Sequence, residues 1–135
     1  MTQDEAVTFC EAFLPCWEGG PANAEKLLAF YHPEGQIIDP NHPEGVKGTA
    51  QLREFLTGML TVYPEWKFTI EEILATPEGF VFTYLVDLEY LGKEFPGFRG
   101  VDVMTVKDNL IYCHKGYYDR APLTIHRLEQ EALDA

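Results

Sequence analysis

The sequence predicts an α+β domain in which helices come first and a strongly curved antiparallel sheet follows, wrapping around them as a cone. Three observations carry that prediction. Apolar residues recur at helical spacing as far as Leu60, and beyond Tyr63-Pro64 the period drops to two. The later stretches are joined by connections so short that neighbours in sequence must pair antiparallel.

Thr2 and Glu5 have capping-box spacing, so a helix starts at the N-terminus, and Val7, Phe9, Cys10, Phe13 and Leu14 give it one apolar face. Pro15 lacks an amide hydrogen and should end or kink it; Trp17 follows, and Glu18-Gly19-Gly20-Pro21 reads as a turn. Asn23 is placed to cap a second, short helix whose Leu27, Leu28, Phe30 and Tyr31 form an apolar face, closed by His32-Pro33-Glu34-Gly35. Gln36-Ile37-Ile38 reads as a strand that delivers Asp39 to a loop rich in Pro and Gly. Thr49 is then expected to cap the clearest helix, with Leu52, Phe55, Leu56, Met59 and Leu60 at i, i+3, i+4, i+7 and i+8.

Residues 66–75, 81–90, 98–106 and 110–118 are β-branched and aromatic, separated by the turn signals Pro77-Glu78-Gly79, Gly92-Lys93 and Lys107-Asp108-Asn109. In the second stretch Phe82, Tyr84, Val86, Leu88 and Tyr90 alternate with Val81, Thr83, Leu85, Asp87 and Glu89, so the aromatic face should look toward the helices. Residues 122–135 are expected to form a last acidic helix, docked by Leu123, His126 and Leu128, with a frayed end. The expectation is one domain over 1–135, with its core at about 7–119 and a tail or helix at 120–135.

Composition narrows the partners. Ten basic and 22 acidic residues give a formal net charge of −12, which repels phosphate backbones and anionic lipid, so neither nucleic acid nor a membrane surface is expected. The three cysteines, Cys10, Cys16 and Cys113, are odd in number and lack C-x-x-C spacing, which indicates neither a disulfide framework nor a zinc site. A reducing cytoplasm fits that usage best. The N-terminus is acidic without an apolar signal core, and no apolar run approaches the roughly 20 residues that span a bilayer. No His pair has metal-ligand spacing with a carboxylate, so no metal or cofactor is expected.

Two carboxylates stand out. Asp39 follows an apolar strand, where Ile37, Phe55 and Tyr84 are placed to desolvate it as a general base must be; Asp before Pro and Asn is equally an opener of Asx-turns. Asp102 lies between Val101 and Val103, facing either solvent or the interior, and an inward carboxylate beside Met104 and Val106 must be protonated or hydrogen-bonded. Asp119 reads as a strand-end cap or a partner for Arg120. His114, in the last stretch, reads either as a proton shuttle or as a surface residue.

Several local runs, in this order, are carried together: Ala29-Phe30-Tyr31-His32-Pro33, Ile38-Asp39-Pro40, Gly48-Thr49-Ala50-Gln51-Leu52-Arg53-Glu54-Phe55, Leu88-Glu89-Tyr90-Leu91-Gly92, Gly100-Val101-Asp102-Val103 and Tyr117-Tyr118-Asp119. With the element order, they resemble the nuclear transport factor 2-like superfamily, a cystatin-like α+β barrel group that includes ketosteroid isomerases, SnoaL-like polyketide cyclases and limonene epoxide hydrolases. The local match is to ketosteroid isomerase, where a D-P pair is followed, nine residues after the aspartate, by G-T and then R-E-F on a helix, as Asp39, Gly48, Thr49, Arg53, Glu54 and Phe55 are here. The resemblance implies that Asp39 is a general base moving a proton between carbons beside a carbonyl, and that Asp102 is a protonated donor to the developing oxyanion. The isomerase's oxyanion tyrosine belongs on helix one, where Glu11-Ala12-Phe13-Leu14 offers no hydroxyl; Tyr84 is the substitute phenol on the inward face.

The reading is therefore a cofactor-independent isomerase- or cyclase-like enzyme for a small apolar carbonyl compound. Asp39 and Asp102 are its catalytic residues, and Tyr84, Phe55, Phe82, Val86, Leu88, Met104, Trp17 and His114 form its pocket. The alternatives are a non-catalytic binding protein for an apolar metabolite and a homodimerising module using Val81, Leu85, Val101 and Val103. The resemblance implies a homodimer in all three.

Overall fold

The computed structural model describes every residue from Met1 to Ala135. The capping box forms: Glu5 N donates to Thr2 Oγ1 at 3.1 Å, Thr2 N donates to Glu5 Oε1 at 2.9 Å, and α1 runs Gln3–Phe13. Pro15 ends the α-helical pattern, but the chain winds on as a 3₁₀ turn, Leu14–Trp17, which seats the Trp17 ring 5.2 Å from that of Trp66. Gln3 ties α1 to the sheet, donating from Nε2 to the Ile73 carbonyl at 2.6 Å and accepting the Ala75 amide at 2.9 Å.

The second helix is shorter than expected. α2 is Ala24–Leu28, and Tyr31 already belongs to β1, Tyr31–Asp39. Asn23 does not cap α2; its side-chain amide donates to the Glu18 carbonyl instead. The loop after Asp39 contains a further strand, β2 (His42–Lys47), which pairs antiparallel with β1. Prolines masked both strands. Pro33 sits where the pairing of β1 shifts register between Tyr31 and Gln36, and Pro43 lies in β2, an edge strand, where a missing amide hydrogen is tolerated. α3 is Gly48–Val62; Lys47 rather than Thr49 occupies the cap position, and its amide donates to Gln51 Oε1 at 3.1 Å.

The four later strands are β3 (Trp66–Ala75), β4 (Gly79–Tyr90), β5 (Lys93–Lys107) and β6 (Leu110–Tyr118), followed by α4 (Ala121–Asp134). Tight turns link them. Leu91 and Gly92, then Asp108 and Asn109, all have positive φ, the backbone of two-residue hairpins that match strand twist. The sheet is curved and unclosed, in the order β2-β1-β6-β5-β4-β3; all its pairs are antiparallel except β1 with β6, which is parallel. The helices lie in its concavity. Phe9 and Phe13 of α1 and Leu52, Leu56 and Leu60 of α3 meet Phe80, Phe82, Met104 and Ile111 of the sheet in one apolar core.

α4 docks through Leu123 and His126, but Leu128 is 52% exposed. At 3.6 residues per turn, Leu128 points about 140° away from Leu123, so the two cannot share a buried face. Asp119 does act as a strand-end cap, its Oδ1 accepting the Ala121 amide at 2.9 Å. No helix is long and apolar enough to cross a membrane.

Candidate functional site

Glycines opposite large inward side chains leave a hollow at one end of the cone. Tyr84 on β4 pairs with Gly100 on β5, and Asp102 on β5 pairs with Gly116 on β6. A Cβ at position 100 would lie 2.3 Å from the Tyr84 hydroxyl, so the phenol lies where any larger residue would displace it. A Cβ at position 116 would meet Asp102 Oδ1 at 3.4 Å and Asp39 Cβ at 3.9 Å, which means that the two aspartates flank the same spot. The resulting cavity measures about 80 Å³ and is walled mainly by hydrophobic side chains.

Asp102 is buried and fully engaged. Tyr84 Oη donates to its Oδ1 at 3.2 Å, and His114 Nε2 lies 2.7 Å from its Oδ2. Behind the histidine, Tyr31 Oη is 2.8 Å from Nδ1. Both Asp102 oxygens thus face donors if the imidazole carries its proton on Nε2, an arrangement that suits an ionised carboxylate. Burial, followed by the Asp102 charge, pushes the Tyr31 and Tyr84 phenols well above the usual phenolic range. Both therefore remain hydrogen-bond donors around neutral pH.

Asp39 ends β1 with only 9% of its surface exposed. Its Oδ1 accepts the Asn41 amide at 2.9 Å, so the Asx-turn is present, and lies 3.0 Å from His42 Nδ1. Its Oδ2 has no hydrogen bond to the protein. The His42 ring stands edge-on to Phe55 at 5.0 Å, and Tyr118 Oη accepts from Asn41 Nδ2 at 3.2 Å. Burial and then the Asp39 charge raise the Tyr118 phenol.

Of the residues expected at the site, Asp39, Asp102, Tyr84, Phe55, Val86, Leu88, Trp17 and His114 all line this cavity. Phe82 and Met104 do not. Each is 1% exposed; they share the inward face but lie on the side of the cone that α1 fills. His114 is an interior residue rather than a surface one, 6% exposed. Arg53, part of the local sequence match, points away and pairs with Glu25 at 2.5 Å on the exterior.

Tyr63, Trp66, Phe68, Tyr118 and Leu123 also line the cavity, and sequence reasoning missed them. Tyr118 was legible by parity, since His114, Gly116 and Tyr118 alternate on one face of β6. The Trp66 indole N–H is buried without a partner, a donor that an oxygen-bearing occupant of the cavity could satisfy. No cluster of three His, Cys, Asp or Glu side chains is arranged to hold a metal ion.

Solved structures of the same shape are numerous. An NTF2-like protein of unknown function from Burkholderia pseudomallei superposes with a TM-score of 0.76 at 13% identity, over 91% of this chain and 95% of that one. An LEH-like epoxide hydrolase from Mycobacterium tuberculosis gives 0.70 at 18% identity, over 86% and 79%. TerC, co-crystallised with polyporic acid, gives 0.68 at 20% identity, over 89% and 96%. At these identities the likeness shows the fold alone. Among curated proteins none matches the sequence. The profile of the SnoaL-like domain matches residues 10–114, most of the chain and every strand that builds the cavity except the last residues of β6. The chain therefore belongs to the SnoaL-like domain family.

Proposed function

We propose that the protein is a cofactor-independent enzyme that moves a proton on a small apolar carbonyl compound held in the cone. Asp39 Oδ2, free of protein partners, takes a proton from the carbon beside the carbonyl and returns it to the same or a conjugated carbon. The negative charge that grows on the carbonyl oxygen is met by the Tyr84 phenol, which turns toward it from Asp102. The Asp102 role differs from the neutral donor that the resemblance implies: with Tyr84 and His114 both directed at it, it accepts the phenol's hydrogen bond before substrate binds and yields that bond to the substrate oxygen, while His114 remains its partner.

One observation carries this reading, namely that Asp39 and Asp102 reach a single apolar cavity from different strands, on either side of Gly116. The test is proton NMR in heavy water with cyclohexanone, following loss of the hydrogens beside the carbonyl. Asp39→Asn should slow exchange on the order of a hundredfold to ten-thousandfold while ketone binding changes little. Exchange at the wild-type rate in the variant would remove Asp39 from the mechanism.

A second reading, a binding protein for an apolar metabolite, draws support from the same polar groups. Three of the four oxygens of Asp39 and Asp102 already have protein partners, as in a structural network. Under it the ketone binds and neither protein promotes exchange. In either case we propose a homodimer through the outer face of β4 and β5, where Val81, Leu85, Val101 and Val103 remain only half-buried.

A further inference from the structure

The cavity is closed on one side by α4 rather than by the sheet. Leu123 lines it, 6% exposed, and is the one α4 side chain on its wall. The helix is lightly held there. Of its 14 residues only Leu123 and His126 are buried, while Ile125 and Leu128 are 56% and 52% exposed. Besides edge-on contacts of the His126 ring with Tyr90 and Phe95, its ties are polar and lie on two different loops. Just before the helix, Arg120 Nη1 donates to the Pro40 carbonyl and to Asn41 Oδ1, both at 3.1 Å, beside the Asp39 turn. One turn past Leu123, His126 Nε2 donates to the Leu91 carbonyl at 3.0 Å, on the β4–β5 turn. α4 thus bridges two loops with Leu123 directed into the space between them.

The volume makes this position matter. With α4 docked the cavity holds about 80 Å³, whereas a dry protein cavity that takes up benzene measures about 150 Å³. A ring seated fully inside the hollow therefore needs a wall side chain to give way. The rest of the wall comes from the other elements, with Leu14, Ile37, Met59, Val86 and Leu88 set among rings that pack on one another, Trp66 stacked on Phe68 at 5.8 Å and Phe68 edge-on to Tyr84 at 5.2 Å. A leucine on a lightly held helix yields more readily than that packed array.

We propose that Leu123 is the size-determining residue of the cavity: a shift of its side chain admits a molecule of one six-membered ring, and a fused two-ring molecule is refused while α4 stays docked. This rests on the reading that the cavity takes a small apolar carbonyl compound, and it assigns that compound to the single-ring class.

The test compares binding of cyclohexanone and 2-decalone, read by the fluorescence of Trp17 and Trp66, the two tryptophans on the cavity wall. The wild type should bind cyclohexanone about tenfold or more tightly than 2-decalone, although the bicycle offers more apolar surface, because overpacking outweighs the added burial. Leu123→Ala should remove or reverse that ranking. Leu123→Val, a smaller truncation, should move it in the same direction and serves if the alanine variant does not fold. Arg120→Ala, which frees one anchor without touching the wall, should speed association of both ketones. Equal or tighter 2-decalone binding by the wild type, a ranking unmoved in the Leu123 variants, or no binding of either ketone overturns the proposal. Because only binding is read, the two readings fail separately: a ranking that reverses in the Leu123 variants, with no exchange chemistry in the wild type, would fault Asp39 as a base and not Leu123.

Discussion

The two ends of the cone are built from the same three strands and differ in what each inward residue faces. At the closed end Phe80 on β4 pairs with Met104 on β5, and Phe9 of α1 packs its ring 5.4 Å from Phe80. Large meets large, and both Phe80 and Met104 are at most 1% exposed. A few residues along the same strands, Tyr84 faces Gly100 and Asp102 faces Gly116; the phenol lies over Gly100, and Gly116 lines the hollow between the two aspartates. A buried polar row links the two ends: Tyr31, His114, Asp102 and Tyr84 satisfy one another, running from His114 beside Met104 to Tyr84 on the cavity wall. The two cross-strand glycines let Tyr84 and Asp102 lie against the sheet, where larger residues would displace the phenol or crowd the carboxylate.

Truncation should separate the two ends most sharply. Phe80→Ala, at a position with no exposed surface, should cost about 3–5 kcal/mol, since a cavity must open in a filled core. Phe55→Ala removes a partly exposed ring at the cavity wall, where space already exists, and should cost less than about 2 kcal/mol. Urea unfolding of the two variants measures both. Equal losses would mean that the open end is packed as tightly as the closed one.

A smaller effect is expected in alkali. Burial pushes the Tyr63 phenol, on the cavity wall, up to about 12, with Tyr90 and the Asp39 charge adding to it. A phenol raised in the folded state holds its proton there while the unfolded chain releases it. Its stabilising contribution is complete below pH about 10, the unfolded value, and is lost as the pH climbs toward 12. Cys10, in the α1 core contact, is raised by burial to about 12 and adds to the same decline. Tyr63→Phe should therefore flatten part of the fall of thermal stability across this range, leaving the shares of Cys10, Tyr31, Tyr84 and Tyr118. An unchanged slope would show that the Tyr63 hydroxyl is as well solvated in the folded protein as in the unfolded chain.

The strands of the sheet's antiparallel half and the two long helices of the first half were legible because periodicity is set by burial on one face, and burial is what these elements share. β1 was legible only in its last residues and β2 not at all, since Pro33, Pro43, Gly35 and Gly45 erase the strand signal where an edge or a register shift tolerates them. Asp39 and Asp102 could be singled out as carboxylates bordered by apolar residues. Tyr31 could not: in sequence it continues the apolar spacing of Leu27 and Leu28, and only the fold carries its hydroxyl 83 residues away to His114. The Leu123 contribution was hidden for a similar reason, because a helix beyond the last strand does not disclose which end of the cone it crosses.

As proposed, the open end is a ligand site whose two aspartates address one molecule. A crystal structure with cyclohexanone bound tests it most directly. The ring should lie between Phe55, Trp66 and Leu123, with the carbonyl oxygen within about 2.6–3.2 Å of the Tyr84 hydroxyl and the neighbouring carbon toward Asp39 Oδ2. A ketone bound outside the cone, or inside it with its oxygen directed away from both Tyr84 and the Asp39 side, would contradict the account.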